Sequence, residues 1–465
     1  MRVSADHLRI HQLQNAPVTP SPAILAVIAV PLLVPVILFS AARFEVSLTL
    51  LLAPLAGLSL LRAPALLRNL FLGCVIAGGI SIVLSTVFLG DSLQPRYVLS
   101  LLLIMTPPLY FFLGSYLCAR HVNFPRLVEA LGLVSTMFVL ALATKAIATG
   151  SQVRWYIGAA GYTVLNVDFL GLPLYGSFGV LSLASLLVLQ LFVVGAAFIA
   201  STARWRQLLL LIGFAGAVFL ITGSNARGPQ LALPFLFVIL SVAALFKRSG
   251  IQSRAAALLT VGVIAAVYSS ARMIEPLRLV ATARQLAGLP PAYSKSDRAV
   301  ETARQPATTG RPGEADAEPI DYESLSTGRE SLLQDSLREV SSSPIVGNGF
   351  ASFGRIDRAI ALRSARVGNR TTHVQYLTIL WKGGVVFFIP YMGLLAAYWL
   401  RAIRGMQAAR SPEGILVCAG LLFLFTILSL TWDILLVPSA GALGFFLLGA
   451  LGEGGGGTVP QVDGP

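Results

Sequence analysis

Apolar residues run along this chain in blocks of about twenty, the length that a helix needs to cross a bilayer core, separated by short polar stretches. The blocks predict twelve membrane crossings, near residues 22–40, 46–61, 70–89, 97–118, 126–148, 177–200, 207–223, 229–246, 254–272, 383–400, 414–432 and 434–450. Several hold Pro or Gly, such as Pro31 and Pro35, Pro107 and Pro108, or Gly78 and Gly79, which membrane helices tolerate where neighbours satisfy the freed backbone groups. The expected fold class is therefore an all-α polytopic membrane protein of about twelve transmembrane helices. Composition agrees: 465 residues that are 55% hydrophobic and only 12% charged, with a mean hydropathy of +0.77, exclude a string of soluble domains.

The formal charge of +13 changes the picture only through its distribution. Basic residues are scattered between apolar runs rather than gathered in a patch, so no nucleic-acid partner is expected. Short segments predicted to be cytoplasmic carry Arg62 and Arg68, Arg120 and Arg126, Arg204 and Arg206, Lys247, Arg248 and Arg254, and Arg401, Arg404 and Arg410, besides Arg2 and Arg9 at the start. Their counterparts on the other side carry only Arg43, Arg96, Arg154 and Arg227. Positive residues are retained inside, which places both termini in the cytoplasm. The polar start lacks the apolar core and cleavage site of a signal peptide and is expected to stay inside as well. Cys74, Cys118 and Cys418 fall within apolar blocks without close-spaced pairing and read as small core residues.

The expected organisation is a cytoplasmic segment 1–21, crossings one to nine over 22–272, one long outer loop over 273–372 between crossings nine and ten, re-entry and the last three crossings over 373–450, and a Gly-rich cytoplasmic tail 451–465. Acidic and basic residues nearly balance in the loop, unlike a polybasic lipid-binding segment. Its first half is rich in Pro, Ala, Thr and Gly and reads as irregular. In its second half Thr327-Gly-Arg-Glu330 resembles a capping box, followed by Leu332, Leu333, Leu337 and Val340 at helical spacing, with a stop expected before Pro344. A second amphipathic stretch is expected over Arg355–Arg366.

No phosphate-binding Gly-Lys-Ser/Thr loop, HExxH or dinucleotide fingerprint is present, so neither ATP hydrolysis nor a soluble catalytic motif is expected. The informative residues are polar ones at the outer ends of crossings, since a charge at mid-helix costs roughly 2.5–3.5 kcal/mol to insert. His373 sits where the long loop re-enters the membrane. It is placed either to take a proton from a hydroxyl or to hydrogen-bond the loop at the interface. Arg227 lies in a tight outer hairpin, Arg329 in the first turn of the capped loop helix and Arg154 in the second-longest outer loop. A guanidinium there holds an anion bidentately or remains a solvated surface charge. Asp433 ends the eleventh crossing and Lys145 and Glu129 lie near span ends, which leaves the spans without a mid-membrane group to couple a transporter to protons.

Three elements together resemble the O-antigen ligase and O-antigen polymerase superfamily of bacterial envelope glycosyltransferases. They are Thr222-Gly-Ser-Asn-Ala-Arg227-Gly228 closing a hairpin, the Arg329-led helix running into Ser343-Pro344-Ile-Val-Gly347-Asn-Gly349-Phe350, and His373 followed by Tyr376, Leu377, Gly383 and Gly384. They cover about residues 205–400. Asn225-Ala226 before Arg227, Val374 after His373 and Lys382 before Gly383 depart from the residues more usual in that family. The resemblance implies a GT-C-like transferase in the bacterial inner membrane, facing the periplasm, that takes an undecaprenyl-diphosphate-linked glycan as donor. The acceptor is lipid A core for a ligase, or a growing polysaccharide for a polymerase. It implies His373 as general base, Arg227 and Arg329 as diphosphate-binding residues with Arg154 as a further one, and neither cofactor nor metal. A twelve-span transporter or lipid-linked oligosaccharide flippase is the reading from another class.

Overall fold

The computed structural model describes residues 22–35, 37–41, 44–90, 92–148, four two-residue strands between 157 and 173, and residues 179–223, 227–245, 249–273, 329–351, 355–356, 372, 374–409, 411–431, 433–436 and 438–453. The chain is a polytopic helical membrane protein. Helix α1 (Pro22–Leu33) leads into the antiparallel hairpin β1 (Ile37–Ala41) and β2 (Phe44–Ser47), then a 3₁₀ turn (Leu48–Leu52) and α2 (Ala53–Leu61). Long helices α3 (Ala65–Leu89), α4 (Pro95–Arg120) and α5 (Phe124–Ala148) follow, then the small antiparallel pairs β3 (Ile157–Gly158) with β4 (Gly161–Tyr162) and β5 (Asp168–Phe169) with β6 (Leu172–Pro173). Next come α6 (Gly179–Ala200), α7 (Arg204–Gly223), the single turn α8 (Arg227–Gln230), α9 (Ala232–Leu245) and α10 (Ser249–Met273). Within the long loop lies α11 (Arg329–Ser342), and beyond it lie α12 (Gln375–Ala409), α13 (Pro412–Phe423), a π-helical turn (Leu424–Leu428), α14 (Ser429–Thr431), a 3₁₀ turn (Ile434–Leu436) and α15 (Pro438–Leu451).

Among the described residues nine helical stretches are long and apolar enough to cross a membrane, and Leu48–Leu61 and Ser439–Leu451 are shorter apolar helices. Each expected apolar block contains helix, but the first departs from a single crossing over 22–40. Its helix stops at Leu33, and the chain turns into the β1–β2 hairpin. Pro31 and Pro35 explain the stop. Pro35 has no N–H to give the carbonyl of Pro31 four residues earlier, and that carbonyl instead accepts the Thr49 hydroxyl at 2.7 Å. The Leu33 carbonyl accepts Gln190 Nε2 at 2.7 Å, and the Tyr110 hydroxyl donates to the Thr49 carbonyl. Polar side chains from three other elements thus satisfy backbone groups where no water is available.

Helix α6 is central, with 94% of its apolar window buried, whereas α10 has 17% and turns outward. Helices α4 and α15 cross at backbone distance: a Cβ on Gly114 would collide with the Phe446 carbonyl, and one on Gly449 with the Phe111 carbonyl. Phe111 and Tyr398 of α12 stack at 3.8 Å beside this crossing. At the end of the bundle where α4, α6 and α12 finish, Glu453 pairs with Arg401 and accepts Ser115 Oγ at 2.7 Å. There too Glu129 pairs with Arg206 at 3.2 Å and accepts Ser201 Oγ at 2.8 Å. The opposite end gathers the start of α12, the turn α8 and the π turn.

Candidate functional site

Helix α12 has 35 residues, and at 1.5 Å rise it would be about 50 Å long, well beyond a bilayer core. It is not continuous. Gly384 takes φ 58° and ψ −170°, a conformation open essentially to glycine alone, and divides α12 into a short N-terminal stub and a long C-terminal rod. The segment after α11 fills the break. The Asn348 N–H donates to the Trp381 carbonyl at 2.9 Å and the Phe350 N–H to the Lys382 carbonyl at 3.0 Å. In return the Val385 N–H donates to the Pro344 carbonyl at 2.9 Å and the Val386 N–H to the Ile345 carbonyl at 3.1 Å. Four backbone groups lost to the kink are recovered from the loop, which turns through positive φ at Gly347, Gly349 and Phe350.

Side chains lock this plug from several directions. Ser81 Oγ of α3 donates to the Val346 carbonyl at 2.7 Å, and Trp381 Nε1 donates to the buried Glu339 carboxyl of α11. Lys382 Nζ reaches the Ala351 carbonyl at 3.1 Å and Ser100 Oγ at 3.5 Å, and both Glu339 and Asp433 act on it electrostatically. Arg355 Nη1 donates to the Asn348 carbonyl at 2.7 Å and to Ser85 Oγ at 3.3 Å, with its guanidinium 4.5 Å over the Tyr97 ring. Lys382, a departure from the family pattern in the sequence, is thus a structural anchor. Arg355, read in the sequence as the start of a solvated amphipathic stretch, is one too. Glu339 and Asp433 are buried acids whose place only the fold reveals.

The N-terminal stub of α12 is anchored as firmly. Thr372 is buried, its hydroxyl 2.6 Å from that of Thr378, and it accepts the Val374 N–H at 3.2 Å. The Leu435 N–H donates to Gln375 Oε1 at 3.0 Å, and the Tyr376 hydroxyl donates to the Phe425 carbonyl in the π turn. A π turn carries one extra residue and re-aims the carbonyls around it, which is how Phe425 comes to offer an acceptor sideways to α12. The same stretch supports the α8 hairpin. A Cβ on Gly228 would lie 3.1 Å from Thr431 Oγ1 and 3.5 Å from the Leu428 side chain, and Gln230 Nε2 donates to the Thr222 carbonyl at 2.9 Å.

Phe425, Leu428, Thr431 and Leu435 therefore buttress both the element that follows Arg227 and the element that follows His373, while the plug joins the N-terminal stub of α12 to α11, the helix that Arg329 opens. Arg227 and Arg329 are the first residues of α8 and α11. His373 lies outside the described residues, between the buried Thr372 and the partly buried Val374, and Arg154 lies outside them as well. So do Thr327 of the expected capping box, the first half of the long loop, expected to be irregular, and most of 355–366; the loop helix itself runs Arg329–Ser342 and stops two residues before Pro344. Among the described residues no three His, Cys, Asp or Glu side chains gather as a metal site. No protein-family model matches the sequence, and no curated protein matches it.

Proposed function

We propose that this protein is a membrane glycosyltransferase of the O-antigen ligase type, moving a glycan from undecaprenyl diphosphate to a sugar hydroxyl of lipid A core at the periplasmic face of the bacterial inner membrane. The twelve crossings, the GT-C-like character and the inside placement of both termini belong to this proposal, as does independence of metal and ATP. In the reaction the acceptor oxygen bonds to the anomeric carbon, the bond from that carbon to the phosphate oxygen breaks, and polyprenyl diphosphate leaves. His373 takes the hydroxyl proton as that bond forms. Arg227 and Arg329, and Arg154 as a further cation, meet the negative charge that builds on the departing diphosphate.

One observation carries the reading. The three sequence elements that suggested the family are far apart in the chain, yet they share supports at one end of the bundle: Gly228 on Thr431, Gln375 on Leu435, and Gly347 on the break at Gly384. A transporter needs no such convergence of loop and hairpin elements. The test is the envelope polysaccharide of a deletion strain. Loss of a ligase leaves bare lipid A core, loss of a polymerase leaves core with one repeat unit, and an unchanged profile contradicts the proposal.

A further inference from the structure

Gln375 opens α12 two residues after His373 and is completely buried. Its Oε1 is occupied by the Leu435 N–H at 3.0 Å, a bond that settles which way the amide faces. Nε2 is then turned away from Leu435 with two N–H donors, and among the described residues it meets no acceptor. Buried amide donors are almost always paired, because leaving one without an acceptor costs its full desolvation. Neighbouring polar groups follow that rule: Thr372 and Thr378 satisfy each other, and Ser429 Oγ donates to the Leu424 carbonyl at 2.9 Å. Gln375 Nε2 departs from the rule in the first turn of a helix, where backbone N–H groups and the helix dipole both favour an anion. Asp433, two residues before Leu435, is the acid of that segment, and Lys382 interacts with it electrostatically.

We infer that Gln375 Nε2 is a hydrogen-bond donor to a diphosphate oxygen of the lipid-linked substrate. The assignment rests on the transferase reading given above. The informative variant is Gln375→Glu, which has the same shape and still accepts from the Leu435 N–H but offers an oxygen where the donor stood. Gln375→Met removes the donor without adding charge.

The measurement is steady-state transfer by purified full-length protein, with polyprenyl-diphosphate glycan and acceptor varied separately. In each variant that folds, the KM for the donor substrate should rise about ten- to a hundredfold, the worth of one hydrogen bond to a charged group, while the acceptor KM holds. A merely structural role would lower abundance and kcat and leave the donor KM alone. A wild-type donor KM in either folded variant overturns the inference. His373→Ala, assayed alongside, separates the two levels. Wild-type transfer by that protein removes the transferase site itself, whereas an inactive His373→Ala beside a Gln375→Glu with unchanged donor KM removes only the role of Gln375.

Discussion

Gly347 and Gly384 meet backbone to backbone: a Cβ on Gly347 would collide with the Gly384 nitrogen and stand 2.7 Å from the Trp381 carbonyl oxygen. A Cβ on Gly384 would strike the Ile345 carbonyl, and both residues hold positive φ, at 63° and 58°. Two constraints, steric and conformational, fall on the same pair, so the loop plug and the helix break require each other.

Ala at either position should loosen the plug by about 1–3 kcal/mol, the usual cost of forcing a side chain into such a conformation. Gly393→Ala, further along α12 with open space around it, should be neutral or slightly stabilising. Thermal unfolding of the three proteins in one detergent checks this. Equal melting temperatures for Gly384→Ala and Gly393→Ala would mean that the contact is dispensable.

Orientation rests on the contrast between the basic segments at one end of the bundle and the sparse ones at the other. A reporter active only outside the cytoplasm should be active when fused at Ala307 and silent at Gly405. The reverse pattern would put the site elements on the cytoplasmic side, where no lipid-linked glycan acceptor of this kind is presented.

The polytopic helical character was legible in the sequence because a bilayer imposes a length on apolar runs: each run does contain helix, and nine stretches among the described residues are long and apolar enough to cross. The early stop at Leu33 was not legible, although Pro31 and Pro35 were in view. Whether a proline kinks or ends a membrane helix depends on who satisfies the freed carbonyls, and Thr49 and Gln190 act from 18 and 157 residues away. The Gly-Asn-Gly element and Gly383-Gly384 stood out as motifs, but nothing local showed that one inserts into the other. The anchoring roles of Lys382, Glu339 and Arg355 were not legible for the same reason: their partners are distant in the chain, and a charge of ordinary appearance becomes an anchor only once it is buried beside backbone carbonyls.

Arg227 and Arg329 should tolerate Lys poorly and Ala worse, because a point charge keeps the sign but loses the planar pair of donors that matches a phosphate. Arg358→Ala and Arg366→Ala, in the expected amphipathic stretch outside the three motif elements, should change transfer little. Transfer rates of the purified variants at fixed protein amount decide the matter. Full activity of the double variant Arg227→Ala with Arg329→Ala would move the diphosphate site elsewhere.

The central proposal is that His373, next in sequence to the buried Thr372 and two residues before the anchored Gln375, removes the acceptor proton. Its most direct measurement is glycan transfer from a polyprenyl-diphosphate donor by purified His373→Ala in detergent, with chelator present and no ATP. His121→Ala, whose ring lies 3.4 Å from the Tyr116 hydroxyl at the other end of the bundle, serves as control. The account predicts that wild type and His121→Ala transfer under these conditions, while His373→Ala inserts normally and loses about 10²–10⁴ in rate. Wild-type transfer by His373→Ala, or no transfer by any of the three until ATP or a divalent ion is added, would contradict it.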